Sequence, residues 1–226
     1  VFGPHSRQGL AYKHLYTEQG IQHVARFQRF TQDKNNMTGQ LMIANLQEMK
    51  MYLGLNGPIF SHSYKRLGHL VECSYCQWTW EFLDVHSMRL VDNIPDFDIL
   101  RVGDGLLMES FLRAGFQGKE LKHLNECRLY LQIVFWSETL TGCGTKLDPN
   151  VLRGYRQTQR NSFHWPTQGR PADDAWILWR NALVESLHAD ERQDFVVEQA
   201  VSRWTAVPSW WKWFYDASND RLYEQD

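Results

Sequence analysis

One segment constrains the fold more than any other: residues 171–187, PADDAWILWRNALVESL. Pro171 suits the first position of a helix, where its missing N–H costs nothing. Asp173 and Asp174 fall in the first turn, where carboxylates complement the helix dipole. Trp176, Trp179, Leu183 and Leu187 then recur at i, i+3, i+7 and i+11, which places them on one apolar stripe. Arg180, Glu185 and Asp190 fall elsewhere, as solvent-facing residues do. A helix with two indoles on its stripe requires a broad apolar surface to cover it.

The same period recurs along the chain. Ile21, Val24, Phe27 and Phe30 predict a helix over 18–32, after a Gly- and Pro-broken start. Met42, Leu46, Met49 and Leu53 predict a second over 39–53, with Thr38 as its N-cap and Gly54 as its stop. Residues 54–68 read as a loop, and 69–88 as a helix with Leu70, Cys73, Cys76, Trp80 and Leu83 near one face. Two more helices are expected over 104–114 and 118–136. Residues 139–146 have the β-branched and glycine content of a short strand or turn, and Asp148-Pro149 opens a short helix. After the 171–188 helix, 192–205 reads as another. In the tail, Trp211, Trp213 and Tyr215 alternate with Lys212 and Phe214 ahead of a turn-rich run, a β-hairpin signal.

The expected fold is therefore mainly α: a multi-helix domain of about seven helices with a small C-terminal β-hairpin. Residues 1–147 form a helical domain, and 148–226 carry a basic-aromatic loop, the Trp-rich helix and the hairpin, packed on the first part as one unit. The 226 residues, 43% of them hydrophobic, suffice for a real core. No apolar run approaches the ~18 residues of a membrane span, and no signal-peptide pattern is present. An intracellular protein with reduced thiols and no membrane partner is expected. The chain opens Val-Phe-Gly without methionine, so it reads as a fragment or a processed product.

Charge is uneven. Residues 171–226 carry five Lys/Arg and eleven Asp/Glu, a net of −6, against nineteen and fifteen, a net of +4, before them. Between Pro149 and Ala172 stand Arg153, Arg156, Arg160 and Arg170 without one acidic residue, interleaved with Tyr155, Phe163 and Trp165. Guanidinium groups pair bidentately with phosphate, and aromatic faces stack on unpaired bases. This stretch is the candidate nucleic-acid site, with the arginines on phosphates and the three aromatics on bases. A packed loop pinned by its aromatics is the plainer alternative.

Catalytic chemistry has no comparable signal. The chain lacks HExxH, a P-loop lysine motif and a GxSxG elbow. Asp173-Asp174 sits between a proline and a helix, not between strands that could present it to metal ions. No enzyme activity and no cofactor are expected. Cys73-x-x-Cys76, with His69 four residues earlier, is the one metal-like grouping. Cys127 and Cys143 are sixteen apart, unlike the second short-spaced pair that zinc requires, so metal binding is not expected.

Several segments, in order along most of the chain, resemble the region downstream of the polymerase core in retroelement reverse-transcriptase proteins of unicellular eukaryotes. They are GLAYKHLYTEQGIQHV, MTGQLMIANLQ, YKRLGHL with WEFL, CRLYLQ, WPTQGRPADDAWILWRNAL and WKWFYDASNDRLYE. The opening Gly9-Leu10 segment is similar to one that follows the thumb of those polymerases. The aromatic-x-Asp-Asp palm motif is missing, so no polymerase residue carries over. The resemblance implies a noncatalytic helical extension that holds template RNA or the primer strand, or docks on an upstream polymerase domain. The competing expectation is a protein-interaction scaffold that docks through the aromatic hairpin or the Trp-rich helix.

Overall fold

The computed structural model describes residues 7, 12, 14–33, 35–99, 103–141, 147–155, 165–189, 213–216 and 221–224. The architecture is mainly helical. Among the described residues there are eight α-helices: α1 Leu15–Gln32, α2 Met37–Leu53, α3 Tyr64–Leu67, α4 Tyr75–Val85, α5 Leu107–Arg113, α6 Gly118–Leu131, α7 Pro149–Leu152 and α8 Asp173–Ala189. They fall into two units, each with its own core. The first comprises 1–49 and 58–94, the second 50–57 and 95–226.

In the first unit, α1 packs on α4 through Gly20. A Cβ at that position would overlap the Phe82 ring, so only glycine permits the approach. Trp80 and Phe82 are wholly buried, each contributing on the order of 2–3 kcal/mol of apolar transfer. The Trp80 indole N–H donates to the His62 carbonyl at 2.8 Å, which satisfies its one polar atom. The Tyr75 hydroxyl donates to the His23 carbonyl, and the His23 ring stacks on Tyr75 at 4.9 Å.

In the second unit, α5, α6 and α7 pack on α8. The stripe read from sequence is the inner face: Trp176, Trp179 and Leu183 are buried. Phe111 meets Trp179 edge-on at 5.8 Å, and Tyr130 meets Trp176 likewise. Deeper still lies Arg128, which is 0% exposed. Its guanidinium donates to Asn125 Oδ1 and to the carbonyls of Ile133, Met51 and Tyr52. Met51 and Tyr52 lie in the last turn of α2, so the cation satisfies carbonyls that a helix terminus leaves unpaired. Gly54, at φ 62°, stops α2 as expected, and a Cβ there would press on the Arg128 guanidinium. Residues 50–57 are further tied in by Lys50, which donates to the Gly57 carbonyl and pairs with Asp96 at 2.6 Å, and by Asn56, which accepts from the Phe97 N–H at 2.8 Å.

Several boundaries differ from the sequence reading. Asn36, not Thr38, caps α2, because its Oδ1 accepts from the Thr38 N–H at 2.9 Å. The helix expected over 69–88 is only α4. Residues 71–74 are non-helical, and Ser74 opens the helix by accepting from the Gln77 N–H at 3.1 Å. Helix α6 stops at Leu131 because Gln132 adopts a left-handed conformation, φ 62°. The helix expected over 192–205 and most of the strand expected over 139–146 lie outside the described residues.

Candidate nucleic-acid interface

The candidate site is organised by α7, a helix of only 4 residues. Asp148 caps α7 by accepting from the Asn150 N–H at 2.7 Å, with Pro149 at the first position. Beyond α7 the chain reverses through Gly154, at φ 70°, and the Tyr155 N–H returns to the Asn150 carbonyl at 2.8 Å. So short a helix presents its carbonyls at one end, and α8 answers with donors. The Trp179 indole N–H reaches the Val151 carbonyl at 3.3 Å, and Arg180 reaches the Leu152 carbonyl at 3.4 Å. Arg170 reaches the Gly154 carbonyl at 2.9 Å and lies 5.4 Å from the Trp176 ring centroid. Carbonyl acceptance and a cation–π interaction, the latter worth about 0.5–1 kcal/mol at an exposed site, fix this guanidinium in orientation.

Of the residues singled out by sequence, Arg153, Tyr155 and Arg170 come together around this turn, all exposed; Tyr155 is 56% exposed. Arg153 is the C-cap of α7. Arg156, Arg160 and Phe163 lie outside the described residues. Trp165 is a correction. It is 8% exposed, packs with Leu106, Leu129 and Val134, and donates its indole N–H to the Leu129 carbonyl at 2.9 Å. An indole so enclosed has no face free for a base. Sequence reading missed Arg180. It set Arg180 apart from the Trp176 stripe as solvent-facing, although the two stand four residues apart and so neighbour each other on the helix.

The positive charge here is partly offset. Burial pushes the Cys127 thiol up to about 12; Glu126 and Asp174 add to that shift, and Arg170 opposes it. Arg170 and Asp174 therefore act on one locality. Arg128 contributes nothing outward. Burial pulls its pKa down to about 9, which leaves it cationic at neutrality but committed to interior carbonyls.

The CxxC pair is separated by its helix start. Cys73 is exposed ahead of Ser74, while Cys76 lies buried within α4 with its thiol on the Met42 carbonyl at 3.6 Å. Burial pushes the Cys76 thiol up to about 12, which disfavours the thiolate that a metal requires. The mid-helix position expected for the pair is thus corrected. Among the described residues, no three His, Cys, Asp or Glu side chains gather as a metal site, and no helix is long and apolar enough to cross a membrane. Comparison with protein-family models, curated proteins and solved structures gives no match.

Proposed function

We propose that the chain is a noncatalytic nucleic-acid-binding module, the C-terminal extension of a retroelement reverse transcriptase that holds template or primer strand. The observation that carries this reading is the gathering of Arg153, Arg170 and Arg180 at the turn after α7, beside the exposed Tyr155. Arg170 is oriented by Gly154 and Trp176 and keeps further N–H donors for a phosphate. Tyr155 offers a ring for stacking. Arg156, Arg160 and Phe163 extend the same acid-free stretch in sequence. On this reading the partner protein is the polymerase domain upstream in the same polyprotein, and the location is intracellular. The C-terminal hairpin belongs to the proposal too. What supports it is the antiparallel register that pairs Trp213 with Glu224 and Asp216 with Arg221.

The test is binding of labelled single-stranded RNA, single-stranded DNA and duplex across a salt series. Replacing Arg153, Arg156, Arg160 and Arg170 by alanine is expected to weaken binding. It should also flatten the salt slope by about one for each phosphate that no longer meets an arginine. Unchanged binding sinks the assignment.

A second reading, a protein-docking scaffold, is favoured by one observation. Ile177 and Val184 stand exposed on α8 seven residues apart, on the face opposite its buried tryptophans. Trp176 and Trp179 themselves are spent on the core. Loss of partner binding in Ile177→Asp, with RNA binding intact, is the result that selects this reading.

A further inference from the structure

The first unit contains a cleft of about 650 Å³ between α1, α2 and the non-helical segment 89–94. That volume lies within the range of small-molecule sites. Its floor is apolar, with Phe27 and Leu46 buried beneath it. Its rim is polar, set by Gln28 and Gln32 of α1 and by Arg89 and Asn93 opposite.

The two charged residues that line the cleft differ in their commitments. Asp92 is buried and spent: one carboxylate oxygen accepts from the Ile59 N–H at 2.7 Å, the other from the Ile94 N–H at 3.3 Å. Arg89 is exposed and makes no hydrogen bond or ion pair with any other described residue. A structural task for it would be to neutralise the carbonyl end of α1, which borders the cleft. That end is served otherwise. The Thr31 hydroxyl donates to the Phe27 carbonyl at 2.8 Å, and the Asp33 N–H to the Phe30 carbonyl. The cleft thus combines an apolar floor, amide groups on its rim and one uncommitted cation.

We propose that this cleft is a binding site for a small organic acid, with its apolar body against the half-buried Ile43, Leu90 and Ile94 and its anionic head on Arg89. The free group decides the class: each Asp92 oxygen already accepts a backbone N–H, so the charged group left to meet a ligand is the Arg89 guanidinium, which takes an anion. The inference does not rest on the nucleic-acid reading, because the arginines of that reading belong to the second unit.

The test is a titration of the full chain with 1-anilinonaphthalene-8-sulfonate, an apolar body with a sulfonate, followed by fluorescence. One saturable site is expected, displaced by octanoate and not by octanol. Arg89→Met is expected to weaken probe affinity about tenfold, as one charge-assisted hydrogen bond is removed, while Arg89→Lys retains most of it. Gln28→Trp, at an exposed helical position, fills the mouth and abolishes binding with circular dichroism and Tm unchanged. Replacing Arg153 and Arg170 leaves probe binding intact. No saturable binding, equal displacement by octanol, or unchanged affinity in either Arg89→Met or Gln28→Trp overturns the proposal.

Discussion

Two arginines in the second unit perform one chemical act in opposite surroundings. Arg128 donates to the carbonyls of Met51 and Tyr52, in the last turn of α2, and is wholly buried. Arg170 donates to Gly154, just past α7, and is exposed. Both answer a helix end, where unpaired carbonyls attract a cation. The difference lies in what is left over. Arg128 spends its donors inward and, being wholly buried, becomes part of the fold. Arg170 spends one donor inward and keeps the rest for solvent or a ligand. A guanidinium at a helix end is thus structural or functional according to its burial, and sequence position alone does not distinguish the two.

The comparison breaks most easily at Arg128. Arg128→Met leaves the Met51 and Ile133 carbonyls and the Asn125 amide oxygen unpaired in the core, while the Tyr52 carbonyl keeps the Asn125 amide N–H. We expect a loss of about 3–5 kcal/mol in urea unfolding; a loss under about 1 kcal/mol shows that water or repacking replaces the guanidinium. Next in size is Tyr155→Ala. It leaves Tm within a degree or so and weakens single-stranded RNA binding by about 1–3 kcal/mol if the ring stacks on a base. Trp165→Phe does the reverse. Removing the indole N–H from the Leu129 carbonyl costs about 1 kcal/mol of stability and leaves RNA affinity where it was. An affinity drop there restores Trp165 to the interface.

The contrast between buried and exposed groups extends to the thiols. At pH 8, iodoacetamide should alkylate Cys73 and spare Cys76 and Cys127, as peptide mass spectrometry reads directly. Cys76 keeps its proton when folded up to about pH 12, whereas an unfolded thiol loses it near 9. In that window the folded state binds more protons, so its stability falls as pH rises. The contribution of Cys76, taken as wild type minus Cys76→Ala, should decline by about 1 kcal/mol by pH 10. Arg170→Ala is expected to cost only about 0.5–1 kcal/mol of stability, and is informative because RNA affinity should change more than folding does.

Local chemistry made much of this fold legible. The Asp148-Pro149 and Pro171–Asp174 starts carry caps and charges within one turn, and both helices follow them. The stripe of α8 was readable because its period is internal to the helix. The start of α4 was also written locally, in Ser74 and Gln77, but the apolar run through Leu70 and Cys73 obscured it. What stayed illegible depends on distant partners. Arg128 is one of several basic residues on α6 until the carbonyls of Met51 and Tyr52 are placed beside it. Trp165 reads as a stacking residue because its true partner, the Leu129 carbonyl, lies 36 residues earlier and has no sequence signature. At the candidate interface, sequence found Arg153, Tyr155 and Arg170 through the absence of acids. It passed over Arg180, whose role depends on where α7 ends.

The separation between Arg128 and its acceptors also has a consequence in time. The Met51 carbonyl precedes its donor by 77 residues in the chain. At a synthesis rate of about 5–20 residues per second, the end of α2 must wait at least about 4–15 s for the side chain that closes it. Until then residues 50–57 have water where the guanidinium will be. A nascent chain halted before residue 128 should therefore leave this stretch open to protease, and protection should arrive with α6 rather than with α2 itself.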